Sequence, residues 1–246
     1  MAVVVPAHNE EHRIAACLRS LHAAAAQAAP TPVVIVVATD ACTDATATLA
    51  TRGGAHVVKT CSRSVGAARA AGIEHALELL ADADSDVWLA MTDADSTVPA
   101  AWLTHQAAWA RRGYDAVLGT IRLAPTAANA LLVARHDVGY FRTRRLSGAQ
   151  REWEHPHVHG ANLGVSAAAY LRVGGFAHLH TGEDRDLAVR LSAAGHRIAR
   201  TDQHPVRTAA RLRGRAPGGL ADLLVCCGME SARHGGPTPL DLVTLT

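Results

Sequence analysis

The chain has 246 residues, 49% of them hydrophobic and 19% charged, with a formal net charge of +2. That length is enough to bury roughly 70–75% of the unfolded chain's surface in one large domain or two closely packed halves, and the composition argues against disorder. So small a net charge gives no footing for nucleic acid as a partner.

The five cysteines (Cys17, Cys42, Cys61, Cys226, Cys227) include no Cys-x-x-Cys pair. This argues against a disulfide framework or a zinc ribbon and for a reducing compartment. No stretch approaches the roughly 18 apolar residues of a membrane span, and the amino terminus carries no basic leader. The expectation is a soluble, cytoplasmic protein.

In chain order, Val3-Val4-Val5 predicts a strand. A helix follows, with Asn9 as N-cap, Glu10 and Glu11 in the first turn, and Ile14, Cys17, Leu18 and Leu21 on one stripe. Residues 33–37 form a continuous apolar run, as in a strand buried on both faces. A helix over 44–50, a strand over 56–58, a helix over 65–80, a strand over 87–91 and a helix over 99–111 complete the first half. Such alternation implies a parallel sheet covered by helices, with the ligand beyond the carboxyl ends of the strands. The second half is less regular. A strand is expected over 116–123, a helix over 127–145, extended chain over 155–165, a short helix over 167–173, a turn at Gly174-Gly175, and a helix over 184–194 ended by Gly195. From Arg207 the chain is rich in Arg, Gly and Pro and yields no assignment.

The residues after the strands are polar: Pro6-Ala7-His8-Asn9-Glu10, Thr39-Asp40-Ala41-Cys42-Thr43-Asp44, and Thr92-Asp93-Ala94-Asp95-Ser96. In extended chain Asp93 and Asp95 face the same way, so both can serve one divalent ion or one nucleotide. Mg²⁺ and Mn²⁺ take hard oxygen ligands, usually one or two carboxylates completed by substrate phosphates. The bland alternative is an acidic loop preceding the next helix. For Glu183, Asp184 and Asp186 that alternative is a helix start stabilised by carboxylates. His155, His157 and His159 alternate on one face, formally a metal pattern, against a background of 15 histidines. Arg142, Arg144, Arg145 and Arg151 read as a solvated helix end. Arg207, Arg211, Arg213 and Arg215, before Pro217-Gly218-Gly219, read either as a surface charge run or as a loop that grips a diphosphate through arginine forks.

Taken together these motifs resemble glycosyltransferase family 2, enzymes of the GT-A fold that use nucleotide-sugar donors. Val4-Val5-Pro6-Ala7-His8-Asn9-Glu10-Glu11 is similar to the family's opening strand and turn, and Val36-Val37-Ala38-Thr39-Asp40-Ala41-Cys42-Thr43-Asp44 to its nucleobase segment. Val65-Gly66-Ala67-Ala68-Arg69 resembles its glycine-arginine helix start, and Asp93-Ala94-Asp95 its metal motif. Gly174-Gly175-Phe176 and Gly182-Glu183-Asp184-Arg185-Asp186-Leu187 resemble its acceptor-half signature.

The resemblance implies a single GT-A domain over 1–246, an α/β fold with a mixed, mainly parallel sheet. Residues 1–112 would bind the nucleotide sugar, 113–205 would bind the acceptor and hold the catalytic group, and 206–246 would be a basic segment. It further implies that Pro6, His8, Glu10, Asp40 and Arg69 line the donor site, with Asp40 on the base. Asp93 and Asp95 would bind donor and metal, with His204 as a third metal ligand. Asp184 would be the general base of an inverting transfer. His159, Asn162 and Glu183 would meet the acceptor, and Arg211, Arg213 and Arg215 would close over the diphosphate. The implied cofactor is Mg²⁺ or Mn²⁺, and the implied partners are a nucleotide-diphosphate sugar and a hydroxyl-bearing acceptor.

Two departures bear on this. Thr39 stands where many members carry a second aspartate, and the Gln-x-x-Arg-Trp motif of processive members is absent, which favours single transfers. A nucleotidyltransferase on a related fold, or a nucleotide-sugar-binding protein without turnover, stays open. Dinucleotide oxidoreductases and α/β-hydrolases are disfavoured, because neither Gly-x-Gly-x-x-Gly nor Gly-x-Ser-x-Gly is present.

Overall fold

Alternating side chains on buried strands give this chain two apolar surfaces on one sheet. In β1 (Ala2–Ala7), Val3, Val5 and Ala7 join one core cluster while Ala2 and Val4 join the other, the period-2 consequence of an extended backbone. The structure, a computed structural model, describes residues 1–81, 87–142, 154–177, 179 and 181–211. β1 pairs in parallel with β2 (Val34–Asp40) and β4 (Trp88–Met91), and β2 with β3 (His56–Thr60). β7 (Leu163–Ser166) runs antiparallel to β4 and to β6 (Ala116–Ala124). β8 (Ile198–Ala209) is antiparallel to the short β5 (Ser96–Thr97). The sheet order is β3-β2-β1-β4-β7-β6-β8-β5, a mixed α/β fold whose parallel half carries the first four long strands.

One face is covered by α1 (Ile14–Gln27), α2 (Thr46–Arg52) and α4 (Trp102–Arg111). The other is covered by α3 (Val65–Leu79), α6 (Ala167–Arg172) and α7 (Glu183–Ala193). In α1 the residues Ile14, Cys17, Leu18, Leu21 and Ala24 are buried, the stripe that the sequence spacing predicts. α3 packs closely because Gly72 has no side chain: a Cβ there would stand 2.6 Å from Val4 Cγ1. α5 (Ala130–Tyr140) starts later than the helix expected over 127–145. Asn129 precedes it, accepting from Thr126 N at 2.6 Å and donating to Ala210 O. The described residues of Met1–Arg122 and Arg144–Ala209 form one compact unit, and those of Leu123–Thr143 and Ala210–Thr246 a second.

Several expectations change. Asn9 is not a helix cap: it sits at φ 50°, and its Oδ1 accepts from Thr43 N at 2.8 Å. The first turn closes instead on Glu10 O, which accepts from Arg13 N and Ile14 N. Residues 155–165 are not uniformly extended, because a 3-10 turn at Gly160–Asn162 interrupts them before β7. β8 was not foreseen. Gly195 does end α7 as expected, at φ 77°, with His196 N donating to Leu191 O at 3.1 Å. No helix among the described residues is long and apolar enough to cross a membrane.

Candidate active site

Because β1, β2 and β4 are parallel, their carboxyl ends deliver the three polar segments to one edge of the sheet. The loops after β1 and β2 are stitched together. His8 Nδ1 donates to Asp40 O at 2.7 Å, Glu10 N to Thr46 Oγ1 at 2.7 Å, and Glu11 N to Asp44 Oδ2 at 3.1 Å. Asp44 also accepts from Thr46 N and Oγ1. Its burial would raise its pKa, but these bonds outweigh that and hold the carboxyl below its ordinary value.

Asp40 is 5% exposed. Its carboxylate accepts from Thr60 Oγ1 at 3.0 Å, Ser62 Oγ at 3.2 Å and Ser64 N at 2.9 Å. It therefore folds the segment leading into α3 against β2, and its side chain shapes the wall of the site instead of lying open to it.

The centre of the arrangement is Arg69, 4% exposed in α3. Its Nη2 donates to Asp93 Oδ1 at 2.6 Å, just beyond β4, and its Nη1 pairs with Glu183 at the start of α7. Burial opposes the guanidinium charge, yet Asp93, Glu183 and Asp184 outweigh it and raise the Arg69 pKa. The reverse holds for the acids. Burial raises both Asp93 and Glu183; Arg69 opposes the rise, and Asp184 adds to it in each. Burial and the carboxylates of Asp93, Asp95 and Glu10 likewise push the Cys17 thiol up. Among the described residues, the carboxylates of Asp93, Glu183 and Asp184 all bear on this one arginine. Asp95 Oδ1 accepts from Thr208 Oγ1 at 3.3 Å, so β8 reaches the same place.

Three acidic residues crowd the first turn of α7, and each has a different partner. Glu183 pairs with Arg69. Asp186 pairs with Arg190 at 2.6 Å, and Arg190 also donates to the carbonyls of Val173 and Gly175, fixing the glycine turn. Asp184 alone is held by backbone: Oδ2 accepts from Gly160 N and Oδ1 from Arg185 N, both at 2.8 Å. Among the described residues no basic group lies within ion-pair distance of it. Gly160 had not been singled out. A Cβ there would collide with the Arg69 guanidinium, and the only signal in the sequence was a glycine beside a polar run.

Other expected site residues are placed elsewhere. Asn162 is 3% exposed; its Oδ1 accepts from Trp102 Nε1 and its Nδ2 donates to Thr120 O, both at 2.8 Å. It braces α4 against β6, and Glu183 is likewise buried, 3% exposed against Arg69. His204 rests on His105, ring centroids 4.7 Å apart, and among the described residues no group of three or more His, Cys, Asp or Glu is arranged to hold a metal ion. β8 carries His204 toward α4. His155, His157 and His159 stack at 5.8 and 6.0 Å, with His155 Nε2 against the carbonyls of Leu118 and Thr201. That arrangement does not gather them on an ion. His159 immediately precedes Gly160 and is half-buried. Pro6 is buried within β1, and Glu10 is buried at the start of the first helical turn. Arg211 is half-buried, while Arg213 and Arg215 lie outside the described residues.

A parallel half-sheet ending in carboxylates, continued by antiparallel strands that return to the same edge, is the layout of the GT-A glycosyltransferases. The chain belongs to glycosyl transferase family 2, whose model it matches over residues 2–174. Its fold is similar to that of S. aureus TarS 1-349 in complex with UDP, at 17% identity and TM-score 0.59, over 86% of this chain and 60% of that one. It is also similar to the mannosyltransferase PcManGT from Pyrobaculum calidifontis in complex with GDP-Man and Mn²⁺. There the identity is 21% and the TM-score 0.57, over 97% of this chain and 65% of that one. A third is glucosyl-3-phosphoglycerate synthase from Mycobacterium tuberculosis in complex with Mn²⁺, UDP and phosphoglyceric acid, at 20% identity and TM-score 0.54, over 97% and 79% of the two chains. The chain thus spans less than two thirds of the length of TarS and PcManGT. No curated protein compared with the chain matches it significantly.

Proposed function

We propose that this protein is a metal-dependent, inverting, non-processive glycosyltransferase that moves a sugar from a nucleotide-diphosphate donor to an acceptor hydroxyl. The observation that carries the reading is the division of labour in α7: of its three first-turn carboxylates, Asp184 alone is left without a cationic partner among the described residues. A carboxylate neutralised by arginine is a poor proton acceptor; one oriented by backbone N–H groups keeps lone pairs for an acceptor hydroxyl.

In the proposed reaction Asp184 takes the hydroxyl proton as the acceptor oxygen bonds to the anomeric carbon from the face opposite the diphosphate. The bond from that carbon to the diphosphate oxygen breaks, and its electron pair leaves with the nucleotide. Inversion follows from attack on the opposite face. The donor set fits Mg²⁺ or Mn²⁺: Asp95 and the Asp93 oxygen not bonded to Arg69 are hard ligands, both side chains are part-exposed, and the Asp95 charge bears on Asp93. When bound, such an ion stabilises the charge that develops on the departing diphosphate. Mn²⁺ in the complexes of PcManGT and of the mycobacterial synthase supports the same reading. His8 and Glu10 border the donor site through the stitched loops, and His159 is the remaining acceptor-side contact.

The test is Asp184→Asn, which keeps the shape and removes the basicity. Binding of Mn²⁺ with nucleoside diphosphate should stay as in the wild type, while sugar transfer falls by about 10²–10⁴-fold. Transfer at the native rate contradicts the assignment.

A further inference from the structure

Arg69 and Glu183 are buried too deeply to serve as substrate contacts, at 4% and 3% exposure, yet they stand between the two proposed halves of the reaction. Arg69 reaches forward to Asp93 and backward to Glu183. Its guanidinium lies flat against Gly160, where any side chain would collide with it, and the N–H of that same glycine holds Asp184. Glu183 is boxed in as well: a Cβ on Gly66 would stand 3.0 Å from its Cγ. Arg69 is thus held by Glu183 on one nitrogen and by Asp93 on the other, beside the glycine whose N–H holds Asp184.

We propose that Glu183 is a positioning residue, which fixes the Arg69 fork and through it the Asp93 carboxylate and the Gly160–Asp184 contact. The proposal rests on the glycosyltransferase reading and assigns Glu183 a place within it. An arginine shared between two carboxylates leaves Asp93 only partly neutralised. Without Glu183 the fork turns wholly to Asp93, competing with a cation for that carboxylate and loosening its orientation. Partners that orient a metal-binding carboxylate typically affect metal affinity by about 10–100-fold.

The experiment measures calorimetric affinity for Mn²⁺ with UDP and with GDP, using whichever nucleotide the wild type binds more tightly, alongside far-UV circular dichroism. Glu183→Gln is expected to weaken that binding by about 10-fold or more with the fold intact. In an Arg69→Lys background, where a point charge replaces the fork, the same change should shift affinity by less than about twofold, because the connection is already cut. Glu183→Asp, which keeps the charge but withdraws it, should fall between and serves if the Gln variant does not fold. Wild-type affinity in a folded Glu183→Gln, or an equal loss in both backgrounds, overturns the proposal. A lower melting temperature with unchanged affinity also overturns it, since that is what a merely structural ion pair gives. If the wild type binds neither nucleotide with Mn²⁺, dTDP and CDP take their place, and binding of none of the four overturns the glycosyltransferase reading and the proposal with it.

Discussion

Single residues decide how this site is held, and the least conspicuous of them is Gly160. A Cβ there would collide with the Arg69 guanidinium, and its N–H donates to Asp184, so Gly160→Ala must displace one or both. Overpacking there is expected to cost about 1–3 kcal/mol of stability. Sugar transfer should fall by about 10²-fold, the usual effect of a displacement near 1 Å at a reacting group; unchanged specific activity of the folded variant would contradict this. Asn162 is placed to brace the fold, between α4 and β6. Asn162→Ala leaves the Trp102 indole N–H and the Thr120 carbonyl without their partner, a loss of about 2–4 kcal/mol. Chemical denaturation should show that loss while nucleotide affinity persists. The opposite pattern would restore Asn162 to the site. Residue types and spacing draw attention to Asp93 and Asp95, while Arg69 and Asp184 stand out only through the resemblance to the family. Spacing alone does not separate Asp184 from Glu183, because adjacent carboxylates in a helix start differ only in which way the helix turns them.

Among the elements, those with a strong period were the legible ones. α1 and the strands β1 and β2 follow directly from apolar spacing. β8 is hidden because its buried residues, Ala199 and Thr201 and then Val206 and Thr208, change parity across the polar run Asp202, Gln203, His204 and Pro205, so no single alternation marks the strand. The loss mattered for the site, since β8 supplies Thr208 to Asp95 and carries His204 to His105. The β1–α1 and β2–α2 loops show a similar gap. Their polar residues suggested ligand contacts, whereas much of that polarity joins one loop to the other. Thr46, fully buried, accepts from Glu10 N and donates to Asp44. Thr46→Val keeps its shape but strands both groups, so stability should fall by about 1–3 kcal/mol, with weaker nucleotide binding because His8 and Asp40 lose their frame. Urea unfolding with a nucleotide titration checks both, and an unchanged midpoint would show that the loops are held by other means.

Across the whole molecule, a parallel sheet with the site at its carboxyl edge could be read from strand–helix alternation, and the family from the ordered set of motifs. The antiparallel continuation could not, because pairings such as β4 with β7 and β6 with β7 join segments far apart in sequence. The proposed function requires that the carboxyl edge bind a nucleoside diphosphate together with a divalent cation held by Asp95. Thermal unfolding with UDP, GDP, dTDP and CDP, each with and without Mn²⁺, tests it on the wild type and on Asp95→Ala. A ligand at 100 times its dissociation constant stabilises by about 2.7 kcal/mol, so one nucleotide should raise the melting temperature only with Mn²⁺, and the rise should vanish in Asp95→Ala. No rise with any nucleotide, or an equal rise in the variant, would contradict the claim.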